Sequence, residues 1–132
     1  MEDIVEFKLK KNEKSRLILF VVFKKTSFTI SDEKISKQVI DKYGKIISKY
    51  KDLYIVIDSR CVSNMSAELA WNIVSEFIKL NDIAIKNVKK VSVIISSKEL
   101  FRLIEVMQKV YSFVVPTKIC NTNQQALEYV EN

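Results

Sequence analysis

Between Leu53 and Asn132 the chain repeats one unit three times: an apolar run, a few small polar residues, then apolar side chains at helical spacing. The runs are Leu53–Asp58, Val91–Ile95 and Thr117–Cys120. Ser63, Asn64 and Ser66 follow the first, Ser96 and Ser97 the second, Asn121 and Thr122 the third. All have side-chain oxygens that suit helix N-caps. A strand rich in Ile and Val that leads into a helix and then another strand needs a crossover, and crossovers produce parallel pairing. The polar C-terminal ends of the strands therefore gather along one edge, where sites in such sheets usually form.

The first half reads as a hairpin and a long helix. Val5, Phe7 and Leu9 alternate with charged residues, as a half-buried strand requires. Lys11–Lys14 is the turn, and Arg16–Phe23 is the return strand, whose continuous apolar character predicts cover on both faces. A short strand is expected at Ser27–Ile30. Ser31 should then cap a helix bearing its apolar stripe on Ile35, Val39, Ile40, Tyr43, Ile46, Ile47 and Tyr50. Gly44, the only glycine, lies inside that helix and either costs about 1 kcal/mol or permits close packing on the sheet. Two further helices are expected at Leu69–Leu80 and Lys98–Tyr111, with Asn81–Asn87 as a loop. The fold class is α/β: a single domain over residues 1–132, with a four- or five-stranded mixed sheet and about four helices. A chain of 132 residues can bury roughly two thirds of its unfolded surface.

Composition removes several functions. The chain has no His, which excludes His-based triads, proton relays and metal sites. One glycine is too few for a phosphate-cradling loop or a dinucleotide fingerprint. No carboxylate spacing matches a hydrolase or metal signature, and a nucleophile at Cys61 would lack a base. The expectation is a non-enzymatic binding module without metal or cofactor. The longest apolar run, Leu17–Phe23, is seven residues, far below a membrane span. Met1–Glu6 lacks the character of a signal peptide, and Cys61 and Cys120 follow no pair motif, so a cytoplasmic location is expected. The net charge of +6 arises wholly within residues 1–51. The chain has 19 Lys to 3 Arg, and on the first helix the Lys occupy the faces opposite the apolar stripe, so the excess reads as a solvated surface. Nucleic acid is not an expected partner.

The order of elements resembles that of STAS domains, the anti-sigma-factor antagonists of the SpoIIAA-like family. The likeness rests on Ile55–Asp58, then the loop from Ser59 to Glu68, then the helix, and on the closing segment Pro116–Val130. In that family a strand ending in Asp leads into a helix whose first turn carries a phosphorylatable Ser or Thr. Aligned on Asp58, this chain offers Ser66–Ala67–Glu68–Leu69, with Glu68 at or next to the acceptor position and no glycine. The resemblance thus implies a regulatory protein-interaction module whose negative charge is built in. A helix N-terminus favours such a charge by about 0.3–1 kcal/mol. Ser66 is the candidate phosphoacceptor, with Ser63 behind it; the plainer alternative is that Ser66 and Glu68 are a helix cap and a first-turn acid.

Helical spacing extends the candidate surface. Ser63, Asn64 and Ser66 end the loop, and Glu68, Trp71, Asn72 and Ser75 follow at steps of three and four. Trp71 sits at the edge of the stripe made by Ala70, Ile73, Val74, Phe77 and Leu80, either as an interface anchor or covered by a neighbouring element. Phe101 lies off the stripe of the next helix, so the two rings could share one exposed patch. The expected partner is a protein bound through loop 59–68 and the helix after it; a homodimer is compatible with the sequence. The alternative is a small-molecule or lipid-binding module of the Sec14-like kind, against which a chain this short has little spare volume.

Overall fold

The computed structural model describes residues 4–110 and 113–132. It begins with an antiparallel hairpin of β1 (Val5–Lys11) and β2 (Leu17–Phe23), Val5 opposite Phe23. The Asn12 side chain accepts from the backbone N–H groups of Lys14 and Arg16, and Ser15 takes a left-handed φ of 61°. Local acceptance of this kind stabilises a tight polar turn. β3 (Ser27–Phe28) and a 3-10 turn (Ile30–Asp32) precede α1 (Glu33–Lys49). Then follow β4 (Leu53–Asp58), β5 (Asn64–Met65), α2 (Ala67–Ile78), α3 (Asn81–Asn87) and β6 (Val88–Ile94). α4 (Lys98–Val110), β7 (Thr117–Cys120) and α5 (Asn123–Glu131) close the fold.

Five strands form one mixed sheet in the order β1-β2-β4-β6-β7. Only β1 and β2 pair antiparallel; β2–β4, β4–β6 and β6–β7 are parallel. This is the α/β architecture expected from the strand–cap–helix repeat. The three caps fall within the expected groups: Ser66, Ser97 and Thr122 accept from the backbone N–H groups of Leu69, Leu100 and Gln125.

Several expectations are corrected. Among the described residues the helices number five, close to the four or so expected; the addition is α3, since Asn81–Asn87, expected as a loop, is helical. The strand expected over Ser27–Ile30 stops at Phe28 and pairs with β5 in a small parallel sheet. Ser31 is not the cap of the following helix. Thr29 and Asp32 instead form a reciprocal capping box around the 3-10 turn, and α1 starts at Glu33. The Asp32 carboxylate accepts from Thr29 N–H at 2.8 Å and from Lys25 at 2.6 Å. Gly44 makes its close approach to Leu80 rather than to the sheet: a Cβ there would lie 3.2 Å from the Leu80 Cδ2. Tyr111, the expected end of the fourth helix, lies outside the described residues.

The two faces of the sheet are covered differently. α5 lies close on one, against β4, β6 and β7. Ile18, Val56, Ile94, Cys120, Ala126 and Val130 form its buried cluster. Phe20 and Val22 remain half-buried on that face, so β2 is not fully covered on both sides as its apolar run implied. The reason is that, among the described residues, one short helix covers that face. On the other face α1 and α2 pack side by side, with α4 beside α2. Their core divides into three buried clusters instead of one.

Candidate functional site

β4 ends at Asp58, and the Arg60 guanidinium folds back on it, its Nε 2.9 Å from Oδ1 and its Nη2 2.6 Å from Oδ2. Burial alone would raise the Asp58 carboxyl. The side-chain and backbone hydrogen bonds from Arg60 outweigh it and hold the group below the usual carboxylate range. The next residue, Ser59, is buried, and its backbone N–H and Oγ both donate to the Ile94 carbonyl, at 3.0 and 2.7 Å. The loop therefore leaves the sheet stitched to β6.

A second set of bonds fixes the rest of the loop. Ser63 N–H and Asn64 N–H donate to the Thr26 carbonyl at 2.9 and 3.1 Å, and Ser66 N–H donates to Phe28 at 3.0 Å. Ser63 Oγ adds a bond to Thr26 at 3.2 Å, and Cys61 Sγ one to Lys24 at 3.3 Å. Val62, 1% exposed, is the apolar pin beneath. Because these donors and acceptors are spent inside the loop, its outward side chains are presented on a fixed frame.

Ser63, Asn64 and Glu68 are exposed around the start of α2, and Ser66 is half-buried as its N-cap, accepting from Leu69 N–H at 3.3 Å. The remaining candidates divide over the flanks of α2. Asn72 and Ser75 line a groove of about 120 Å³ toward α1, with Glu33, Ser36 and Lys37 on its far side. Trp71 goes the other way, half-buried against the cluster of Ala70, Val74 and Met107. Phe101, also half-buried, packs against the cluster of Ile95 and Leu100, which shares the flanking residues Met65, Leu103 and Ile104 with that of Trp71. Among the described residues no group of three acidic or cysteine side chains could hold a metal ion. Cys61 is exposed and Cys120 is buried, both free, and burial raises the Cys120 thiol above its ordinary value.

Between the sheet and helices α1, α2 and α4 lies a cavity of about 170 Å³. Its floor is a row in register across four strands: Val21 opposite Ile57, Ile57 opposite Val93, Val93 opposite Ile119. Ile57, Val93 and Ile119 sit beneath the helices, yet each is only half-buried, since the space above them is empty. The expectation of little spare volume is thus corrected. Periodicity shows which side chains face inward; it carries no signal of whether they meet.

No protein-family model matches this sequence, and no curated protein does. The architecture is similar to a crystal structure from Shewanella loihica PV-4, an uncharacterized protein from the DUF3478 family with a SpoIIAA-like fold. The TM-score is 0.56 at 16% identity, over 96% of this chain and 94% of that one. The chain therefore has a SpoIIAA-like fold, in keeping with the resemblance of its motifs. Among the described residues no helix is long and apolar enough to cross a membrane.

Proposed function

We propose that this chain is a non-enzymatic regulatory module that binds a protein partner through loop 59–68 and the first turns of α2, without a phosphorylation switch. The observation that supports this reading is the bonded frame of the loop. Backbone groups from Ser59 to Ser66 are tied to β6 and to the segment 24–28, so Ser63, Asn64 and Glu68 are held outward before any partner arrives. Pre-ordering of this kind lowers the entropic cost of association. Glu68 supplies negative charge in the first turn of α2, where the helix dipole favours it. Ser66 is engaged as the cap, and Trp71, Asn72 and Ser75 extend the surface to both flanks of the helix.

Affinity capture from the source cells, compared quantitatively across variants, tests this. Asn64→Arg and Glu68→Arg change exposed positions and should remove the captured partner with little change in melting temperature. Ser66→Ala should keep it while costing about 1 kcal/mol of stability through loss of the cap. A partner retained by both arginine variants removes this surface from consideration. Loss of binding upon stoichiometric Ser66 phosphorylation restores the switch.

A further inference from the structure

The cavity over the central strands has the properties of a binding site in its own right. Protein interiors are close-packed, and voids larger than a water molecule are few. This one is about 170 Å³, and it lies where the three buried clusters of the helical face fail to merge. Among the described residues its walls include no Lys, Arg, Asp or Glu. Of the polar side chains in the lining, Ser59 and Thr117 are already used, donating to Ile94 and Val115 at 2.7 and 2.9 Å; the Tyr43 hydroxyl and the Gln108 amide are the others. Buried water needs two to four polar partners, and apolar cavities that lack them stay dry.

Those facts define the occupant. An ionised carboxylate, phosphate or amine would lose its hydration and gain no counter-charge. Drug-sized ligands need about 300–1,000 Å³, whereas cavities of about 150 Å³ lined by Leu, Ile and Phe hold benzene. Phe23, Tyr43, Phe77 and Phe113 all contribute to the walls. Tyr43 and Phe77 already pair with ring centroids 4.9 Å apart. Rings prefer offset or edge-on approach to other rings, so these walls favour an aromatic guest over an aliphatic one. A smaller hollow of about 20 Å³ shares Tyr43, Phe77, Phe113 and Thr117 and extends the space toward the first residues of β6 and β7.

We propose that the chain binds one uncharged, single-ring aromatic molecule in this cavity, on the row Ile57–Val93–Ile119. The site is separate from the loop surface and stands or falls independently of it. Benzene and toluene are the probes, with benzoate as the charged counterpart and decanoate for an aliphatic chain. Titration followed by methyl NMR should give saturable shifts at Ile57, Val93 and Ile119, with ring-proton contacts to the same methyls. The melting temperature should climb with the logarithm of benzene concentration above saturation, as mass action requires. Val93→Phe fills the space and should weaken benzene at least roughly tenfold, as a blocked cavity cannot admit the ring. Should that variant fail to fold, Ile119→Phe serves the same purpose. Absence of ring-to-methyl contacts in the wild type at millimolar benzene overturns the proposal. Binding of benzoate or decanoate as tight as that of toluene overturns it too.

Discussion

The two faces of the sheet show two ways of covering the same strands. On the α5 side a single nine-residue helix buries Ile94, Cys120, Ala126 and Val130 to 2% exposure or less. Small side chains bring it close: Ala126 sits over β6, and Ser92, fully buried, donates to the Ala126 carbonyl at 3.4 Å. On the opposite side α1, α2 and α4 bring larger side chains, yet Ile57, Val93 and Ile119 beneath them stay half-buried. More helix and more apolar mass thus still leave a row of strand residues on that face without full cover. Cover depends on whether facing side chains interdigitate, and three clusters that do not merge leave a hollow.

The sharpest test compares neighbours across that divide. Ile94→Ala on the α5 face should cost about 2–5 kcal/mol in urea unfolding, as fully buried truncations do. Ile57→Ala, one strand away and already facing empty space, should cost less, because part of its surface has no partner to lose. Equal costs would break the comparison. Enlarging side chains should invert the sign. Ala126→Leu should destabilise by about 1–3 kcal/mol through overpacking. Val93→Phe should be neutral or stabilise by up to about 2 kcal/mol, as cavity filling does. Midpoint denaturant concentrations with unchanged slopes would establish both.

Polar contributions to the close face should be smaller. Arg16 donates to the carbonyls of Val130 and Glu131 and stacks over Tyr54, its guanidinium carbon 4.8 Å from the ring centroid. Arg16→Ala should cost about 1–2 kcal/mol, the range for bonds from a charged donor, with faster amide exchange in the last turn of α5. Smallest is the Asp58–Arg60 pair at the edge of the same face. Asp58 is held below its ordinary value, so the unfolded chain takes up this proton more readily than the folded one. Its contribution is present above the ordinary pKa of about 3.9 and drains away as pH falls through the lower folded value. Asp58→Asn should flatten that acid limb by less than about 1 kcal/mol, as expected for a surface pair.

Most of the sheet was legible because burial writes itself into strands as runs of Ile and Val, and because Ser66, Ser97 and Thr122 announce their helices. α3 was missed because it is only seven residues long, and Leu80 at its N-cap position offers no side-chain hydrogen bond. The start of α1 was misplaced because the Asp32 carboxylate is drawn to Thr29 and Lys25, a choice among nearby oxygens that composition does not rank. For the candidate surface, the loop's exposed end was readable from polarity. The division of Trp71 and Asn72 to opposite flanks of α2 was not, since it depends on where α1 and α4 lie. The hollow had no signature at all, because its walls are ordinary core residues.

The clasp on α5 has a consequence for how the chain is made. Arg16 and Lys14 reach carbonyls of residues more than a hundred positions later in the sequence, Val130 and Glu131 among them. Ile18, Val56 and Ile94 are covered only when α5 arrives. At a synthesis rate of about 5–20 residues per second, the side of the nascent sheet bearing Val56 waits roughly 4–15 s for the helix that will shield it. During that interval it is a bare apolar surface on the ribosome. Lys8 and Lys10 of the edge strand β1, opposite Phe20 and Ile18, place positive charge beside it, as charged residues on sheet edges do to oppose edge-to-edge association.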